Sequence, residues 1–372
     1  MALDNTAEQE LEAKKSKDKL GAAELMAHAQ RKSGRGAFKI GREVMRLGSG
    51  INKLTLAEYV RYELYDSETY SDEDKQRFLG NSTHWPITSE VADRTWDAAT
   101  EDKWLADTIL KAGGQPVPDT VAVIDTGVRN YGATPKLGSA DALRDFLTQT
   151  ELPVFGKVLR GVASLGAFLV ESADATHMHL GGIGPMTYEA FLADHVGENQ
   201  YVVQKVVKNH SFFDAFTSHT ATIRMCTFVR NDDVFIPFVV LKLPGGDNIA
   251  DAFWRPGNVA CNLDPATGAI LNISTQTQLG LDRHEVHPET GAAMVGEHIP
   301  MWDQMLSVTK SAAHMFAPVR YQSLDVALTE NGPVIIEINT GGGWDLIQNA
   351  SATGFLTDEV RDTFRSWGSK LV

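Results

Sequence analysis

The chain has 372 residues, more than one hydrophobic core usually organises, so two or three lobes are expected. Its composition, 43% hydrophobic and 22% charged, is that of an ordinary globular protein. The formal net charge of -14 argues against nucleic acid as the main partner, because nucleic acid binding depends on clustered cations, and an anionic ligand would need a local basic pocket.

Residues 1–100 are predicted to form a mainly helical N-terminal region. The first 50 are rich in Lys, Glu, Ala and Gly, which indicates a loosely attached helix with a mobile start. Thr55 and Glu58 form a capping box that opens a helix, and Ser71 with Gly80 brackets another. No signal peptide and no run of about 20 apolar residues is visible, so a cytoplasmic location without a membrane partner is expected.

From Asp102 onward, short apolar strands alternate with amphipathic helices, which predicts a mixed arrangement of helices and sheet. Cys226 and Cys261 have no metal or redox spacing and are expected to be reduced and buried. The predicted strands cover 121–124, 153–159, 201–207, 222–229 and 234–243, and the predicted helices follow Ser139, surround 188–195, cover 300–316 and follow Thr357.

A strand-borne lysine, Lys157, precedes a loop that contains Gly161, Ser164 and Gly166. Such small residues allow backbone N–H groups to approach phosphate oxygens. The loop lacks the Gly-Lys-Ser end of a Walker loop and the spacing of a dinucleotide fingerprint. An ordinary turn is the competing interpretation.

The strand 201–207 has an apolar body that could line an adenine slot, although a plain buried strand would have the same pattern. Arg224 and Lys242 are cations on otherwise apolar strands. Cations in such positions usually have an anionic partner, and either phosphate or an internal salt bridge would serve.

Near the C-terminus, residues 323–340 are predicted to form a β-hairpin with three oxygen ligands among apolar residues. Glu337 and Asn339 share a face because strand side chains alternate. A two-residue Asn331-Gly332 turn would pair Asp325 with Ile338 and send Asp325 to the opposite face, whereas a three-residue Glu330-Asn331-Gly332 turn pairs Asp325 with Glu337, and this register is preferred. Two carboxylates and an amide suit Mg²⁺, with Mn²⁺ as an alternative. In the competing interpretation, both carboxylates face solvent.

In this order, these residues resemble the ATP-grasp superfamily, and most closely its sugar-transfer-associated family, from about residue 100 to 350. The sharpest similarities are Val203-Gln204 through His210 followed by Thr222-Ile223-Arg224, and Asp325 through Asn339 followed by Gly341 to Gln348. The segment from Asp102-Lys103 to Pro118 is also similar to the stretch that leads into the nucleotide domain of that family.

The resemblance implies an α+β ATP-grasp fold, in which two α+β lobes clamp ATP behind the helical N-terminal extension. The implied division is an α/β pre-grasp segment at 101–150, a small lobe at 151–212 and a large lobe at 213–372. The implied site residues are Lys103, Lys157, Gly161, Ser164 and Gly166 at the phosphates, Gln204, Lys205 and Val207 at adenine, Arg224 and Lys242 in catalysis, Asp325, Glu337 and Asn339 on Mg²⁺, and His210, Asp251, Gly342 and Asp345 on the substrate side.

The implied activity is a carboxylate-amine ligase that uses ATP and forms an acyl phosphate on a small amino-acid-like or sugar-derived substrate. A kinase-type transfer of phosphate to a small molecule is the alternative. His210 has a structural role as its competing interpretation. The sequence departs from the family at Asp251-Ala252, where an Asp-Asn pair is expected, and this affects the substrate side more than the ATP side. The expected partners are small-molecule carboxylate and amine substrates, and assembly as a homodimer is left open.

Overall fold

Two seven-stranded sheets contain the named strands of this protein, and a helical region precedes them. The computed structural model describes residues 20–161, 164–252 and 255–372. The predicted α+β architecture with a helical N-terminal region is confirmed. No helix in these ranges is long and apolar enough to cross a bilayer.

The N-terminal helices pack around their own apolar core, which includes Leu25, Ile40 and Tyr59. The predicted capping box of Thr55 and Glu58 is present. Ser71 begins the second predicted helix and also forms a capping box, with Asp74. The predicted start of the chain, residues 1–19, lies outside the described residues. The helices are α1 (Ala22–Ser33), α2 (Ala37–Ser49), α3 (Leu56–Arg61), α4 (Asp72–Arg77), α5 (His84–Val91) and α6 (Asp97–Glu101).

The first sheet has the strand order β2-β1-β7-β3-β4-β5-β6. Because β1 pairs with β7, the strands of 101–150 and of 151–212 share this one sheet. The division of the chain at residue 150 stays a prediction. Its elements are α7 (Lys103–Ala112), β1 (Thr120–Ile124), β2 (Lys136–Leu137), α8 (Ala140–Leu147), β3 (Val154–Val158), β4 (Phe168–Ala173), β5 (His177–Leu180), β6 (Gly184–Thr187), α9 (Tyr188–Ala190), which continues as a π-helix Phe191–Val196, and β7 (Tyr201–Lys205).

The second sheet has the order β12-β11-β10-β9-β8-β13-β14. One of its faces packs on a long helix, α10, through alternate apolar residues such as Ile223, Leu241 and Leu324. Cys226 and Cys261 are reduced and buried, as predicted. The elements are β8 (Thr222–Val229), β9 (Val234–Leu243), β10 (Val259–Leu263), β11 (Ile273–Gln276), β12 (Leu281–His284), α10 (Trp302–Met315), β13 (Tyr321–Thr329), β14 (Gly332–Thr340), α11 (Trp344–Ser351) and α12 (Asp358–Ser366).

The hairpin of β13 and β14 pairs Asp325 with Glu337, as predicted, but the predicted three-residue turn is wrong. Thr329 pairs with Gly332, which leaves a two-residue turn. The register then shifts by one residue between Asp325 and Val326, where β14 carries a bulge. A bulge adds one residue to one strand, so it restores the pairing that the shorter turn would have lost.

Candidate active site

Strand pairing places four charged side chains on one face of the second sheet. Arg224 on β8, Asp325 on β13 and Glu337 on β14 are direct cross-strand neighbours in one row. Lys242 on β9 pairs with Thr222, two residues before Arg224, and therefore lies on the same face. The opposite face of these strands is the apolar one that packs on α10, which explains why the cations were found between apolar residues in the sequence.

Asp325 is the centre of this charged group. Arg224 contacts its carboxylate twice, with Nε 2.9 Å from Oδ1 and Nη2 2.6 Å from Oδ2, and Lys242 Nζ lies 3.1 Å from Oδ2. Burial alone would raise the pKa of Asp325, but the Arg224 guanidinium and the Lys242 ammonium hold it well below its usual range. Lys242 also lies 3.0 Å from Asp251, which accepts a hydrogen bond from the Thr222 hydroxyl.

The residues predicted to hold Mg²⁺ have the donor set that a hard cation requires. Asp325 is ionised, Glu337 faces it across the hairpin, and Asn339 lies two residues further along the same strand face. Asn339 donates to the Ser323 carbonyl through Nδ2, a weak contact of 3.5 Å that leaves Oδ1 as a ligand. The described ranges contain no group of three or more His, Cys, Asp or Glu side chains that could hold a metal ion, so the predicted site depends on two carboxylates and this amide.

Two lysines approach this group from the first sheet and from α7. Lys103 Nζ lies 2.9 Å from Glu337 Oε1 and donates to the Gly161 carbonyl at 3.0 Å. Lys157 Nζ donates to the Ile336 carbonyl at 3.3 Å, and burial lowers the pKa of Lys157. The predicted phosphate lysines and the predicted metal carboxylates are therefore brought together where the first sheet and α7 meet the second sheet.

The glycine-containing loop is also connected to the second sheet. Ser164 has a left-handed backbone, with φ at 54°, and its carbonyl accepts a hydrogen bond of 3.0 Å from Arg255. Gly166 packs so closely that a Cβ there would lie 2.9 Å from the Tyr201 hydroxyl, so it belongs to the base of the loop. Residues 162 and 163 of this predicted loop, and residues 253 and 254 before Arg255, lie outside the described residues.

The three residues predicted to bind adenine differ in exposure and in the groups that they could offer to a base. Gln204 is 3% exposed, and its amide is held by hydrogen bonds at the end of β7. The Lys205 side chain is 52% exposed and lies 3.9 Å from Glu151, so only its backbone could contact a base. The Val207 carbonyl accepts a hydrogen bond from the Thr220 hydroxyl. The N–H of Val207 is therefore the backbone group of this residue that could contact adenine.

Three of the four predicted substrate residues have protein partners outside the charged group. His210 caps a short 3-10 helix through Nδ1 and lies 3.6 Å from Glu330 at the hairpin turn, which fits the structural interpretation. Gly342 donates its N–H to His84, and Asp345 accepts hydrogen bonds from Tyr62 and Arg61. Asp251 is the one predicted substrate residue that joins the charged group. The roles of all four in substrate binding remain predictions.

His84 links the helical region to the segment that follows the metal hairpin. Its Nε2 accepts the Gly342 N–H at 3.2 Å, which requires a neutral ring, and burial lowers the pKa of His84 to about 4. An unfolded histidine takes up its proton near pH 6.5, so this contribution to stability is complete above that pH and is lost as pH falls toward 4.

His84→Gln is expected to reduce the loss of stability between pH 6.5 and pH 4 by up to about 3 kcal/mol, since glutamine supplies an oxygen acceptor that does not titrate. Denaturant unfolding at several pH values would measure this difference. Identical pH dependence in the variant and the wild type would contradict the assignment of a neutral, buried His84.

The sequence analysis missed Asp107, which accepts a 2.6 Å hydrogen bond from Gln204. A signal was present, because Asp107 follows Lys103 by four residues and therefore lies on the same face of α7. It also missed Tyr62, Arg61 and His84, which contact Asp345 and Gly342. These contacts join residues more than 250 positions apart, and no local pattern predicts them.

Comparison with known proteins identifies the family of this chain. Among solved structures, D-alanine–D-alanine ligase from Bacillus anthracis is 14% identical, with 77% of this chain and 75% of that chain covered, at a TM-score of 0.41. VanG D-Ala:D-Ser ligase from Enterococcus faecalis is 12% identical, with 73% and 64% covered, at a TM-score of 0.42. Among curated proteins no match is found. The sequence profile of the sugar-transfer associated ATP-grasp proteins matches residues 87–362, well over half of the chain. The chain belongs to the sugar-transfer associated ATP-grasp family.

Proposed function

We propose that this protein is an ATP- and Mg²⁺-dependent carboxylate-amine ligase that acts on a small amino-acid-like or sugar-derived substrate. Lys103, Lys157 and the loop from Gly161 to Gly166 would bind the phosphates of ATP. Gln204 and the backbone of Lys205 and Val207 would bind adenine.

The observation that supports this proposal best is that three cations contact Asp325 and Glu337 and a fourth contacts the backbone beside them. Arg224 and Lys242 of the second sheet meet Asp325, while Lys103 of α7 meets Glu337 and Lys157 of the first sheet reaches the neighbouring backbone. Phosphoryl transfer requires positioning and charge neutralisation more than covalent chemistry, so these cations together with Mg²⁺ would be a sufficient catalytic set. Asp325, Glu337 and Asn339 would hold Mg²⁺, which would neutralise phosphate charge.

In the proposed reaction, a substrate carboxylate oxygen bonds to the γ-phosphorus of ATP and the bond to ADP breaks, which leaves an acyl phosphate. The amine nitrogen then bonds to the acyl carbon, phosphate leaves, and the nitrogen loses a proton to give the amide. Arg224 and Lys242 would stabilise the charge of the transferred phosphoryl group, since both are fixed by buried ion pairs and need little rearrangement. No nucleophilic side chain takes part.

Product analysis tests this function. The protein would be incubated with ATP, Mg²⁺ and a metabolite extract, and the products analysed by mass spectrometry with Lys242→Met as the inactive control. The proposal predicts new masses that correspond to a condensed carboxylate and amine, with ADP and phosphate. A phosphorylated metabolite in place of an amide would identify a kinase instead.

ATP is expected to bind at least about tenfold more weakly when divalent metal is removed. Asp325 already pairs with Arg224 and Lys242, and Glu337 pairs with Lys103. When no metal ion binds the two carboxylates, these cations cannot neutralise a triphosphate without leaving the carboxylates unpaired. Calorimetric titration of ATP with Mg²⁺ and with a chelator measures the difference. Equal affinity in both would contradict the metal assignment.

A further inference from the structure

Asp107, Thr120 and Gln204 form a closed hydrogen-bonded triangle between α7 and the first sheet. Gln204 Nε2 donates to Asp107 Oδ2 at 2.6 Å and lies 3.2 Å from Thr120 Oγ1. The Thr120 hydroxyl donates to the same Asp107 oxygen at 3.1 Å. Thr120 and Gln204 are also cross-strand partners on β1 and β7, so the sheet itself holds two corners of the triangle in place.

This triangle determines which end of the Gln204 amide faces Asp107 and which end points away from it. Burial raises the pKa of Asp107 to about 6, so at neutral pH the carboxylate is largely ionised and can only accept hydrogen bonds. It therefore selects the NH₂ end of the amide and turns the carbonyl oxygen away. That oxygen, Oε1, accepts no hydrogen bond from any residue in the described ranges, and it is absent from the fully buried polar atoms that lack a partner. Among the described residues, Gln204 Oε1 is therefore an acceptor without a protein donor.

The direction of this acceptor follows from the strand register. Gln204 pairs with Phe155, and Val202 pairs with Lys157, so Gln204 and Lys157 lie on the same face of the first sheet. The Lys157 ammonium contacts the backbone of β14. The Gln204 side chain therefore lies on the face of the first sheet on which the proposed function places ATP.

We propose that Asp107 is a positioning residue that sets the purine specificity of this site: by orienting the Gln204 amide, it selects nucleotides with an amino group at C6 over those with an oxygen there. An adenine amino group can donate to the Gln204 oxygen, whereas a 6-oxo purine would bring a second acceptor against it. This inference rests on the proposed function, since it requires that the adenine of ATP lies against Gln204 and the backbone of Lys205 and Val207. A site that binds a hydrogen-bond donor strongly rejects an analogue that lacks this donor, because the acceptor of the site is then left unpaired.

The first test compares binding of ATP and ITP, both with Mg²⁺, by calorimetry. The wild type is expected to prefer ATP by about 100-fold. Asp107→Asn keeps the size of the side chain but can donate as well as accept, so it no longer determines the orientation of the amide, and the preference is expected to fall by at least about tenfold. Asp119→Asn is the matched control, because Asp119 is exposed, lies next to Thr120 and has no side-chain contact with Gln204. It should retain the wild-type preference.

A charge exchange provides a second test that does not depend on loss of function. Gln204→Glu places a carboxylate against Asp107, so ATP affinity should fall by at least about tenfold through repulsion of like charges. In the double variant Asp107→Asn/Gln204→Glu, the amide at position 107 can donate to the carboxylate at position 204. The second oxygen of that carboxylate can still accept from the adenine amino group. The double variant is expected to recover ATP affinity to within about threefold of the wild type and to retain the preference for ATP.

The outcomes separate this inference from the proposed function. If the wild type binds ATP and ITP equally, or if Asp107→Asn weakens both nucleotides by the same factor, Asp107 does not set specificity, although ATP binding stands. Failure of the double variant to recover while its melting temperature equals that of the wild type overturns the coupling between the two residues. If the wild type binds no ATP at all, the proposed function fails and this inference fails with it.

Discussion

Lys157→Ala is expected to lower turnover by about 100-fold or more, a loss of roughly 3 kcal/mol, which is the size of one electrostatic contact to a reacting group. Lys157 lies on a strand of the first sheet, and its ammonium contacts the second sheet at the Ile336 carbonyl. Among the described residues, no other cation on the strands of the first sheet makes such a contact. Because burial lowers the pKa of Lys157, the site already opposes its charge, and an anionic ligand is the partner that would favour the charged form. The measurement is steady-state formation of ADP and of the condensation product.

Two companion variants make this result specific. Lys157→Met keeps the aliphatic length and packing of the side chain, so it should lose as much activity as Lys157→Ala if charge is the cause. Lys111→Ala removes a positive charge from the exposed end of α7 and should leave turnover unchanged. Normal turnover in Lys157→Met would show that Lys157 contributes packing rather than phosphate binding.

Glu337→Gln is expected to lower turnover by more than about 100-fold, because it removes one of the two carboxylate charges that we assign to Mg²⁺. The same variant should bind metal more weakly, so the thermal stabilisation given by Mg²⁺ and ATP together should shrink. Melting temperatures with and without these ligands, recorded beside the turnover, measure both effects.

The metal-free protein should change little in this variant. The neighbouring carboxylates do not repel each other strongly, because Asp325 is neutralised by Arg224 and Lys242 while Glu337 pairs with Lys103. Loss of the Lys103 pair, which is partly exposed, costs less than about 1 kcal/mol, so the melting temperature should fall by no more than about 2 °C. Glu330→Gln makes the same chemical change at the exposed turn of the same hairpin and should retain activity. A large loss of metal-free stability with activity intact would make Glu337 a structural partner of Lys103.

The sequence alone determined several elements of the second sheet and the residue types of the proposed site, although it did not reveal the strands β10, β11 and β12. The strands 222–229 and 234–243 were predicted at their observed bounds, because apolar runs rich in β-branched and aromatic residues and bounded by turn residues are typical of strands. The pairing of Asp325 with Glu337 was also predicted, because only one of the two registers considered puts both carboxylates on one face of a half-buried strand. The motif order was enough to indicate the family, which the match over residues 87–362 confirms.

Only the tertiary structure decided which partners these side chains have. The hairpin reached its register through a bulge, which strand alternation alone does not reveal. The ion pairs of Asp325 and Glu337 with Arg224, Lys242 and Lys103, and the contact of Asp107 with Gln204, join different strands and α7. Local patterns report on burial and periodicity along one segment, whereas these contacts depend on how the sheets and helices pack against each other. The partners of each charged side chain are therefore a property of the folded chain.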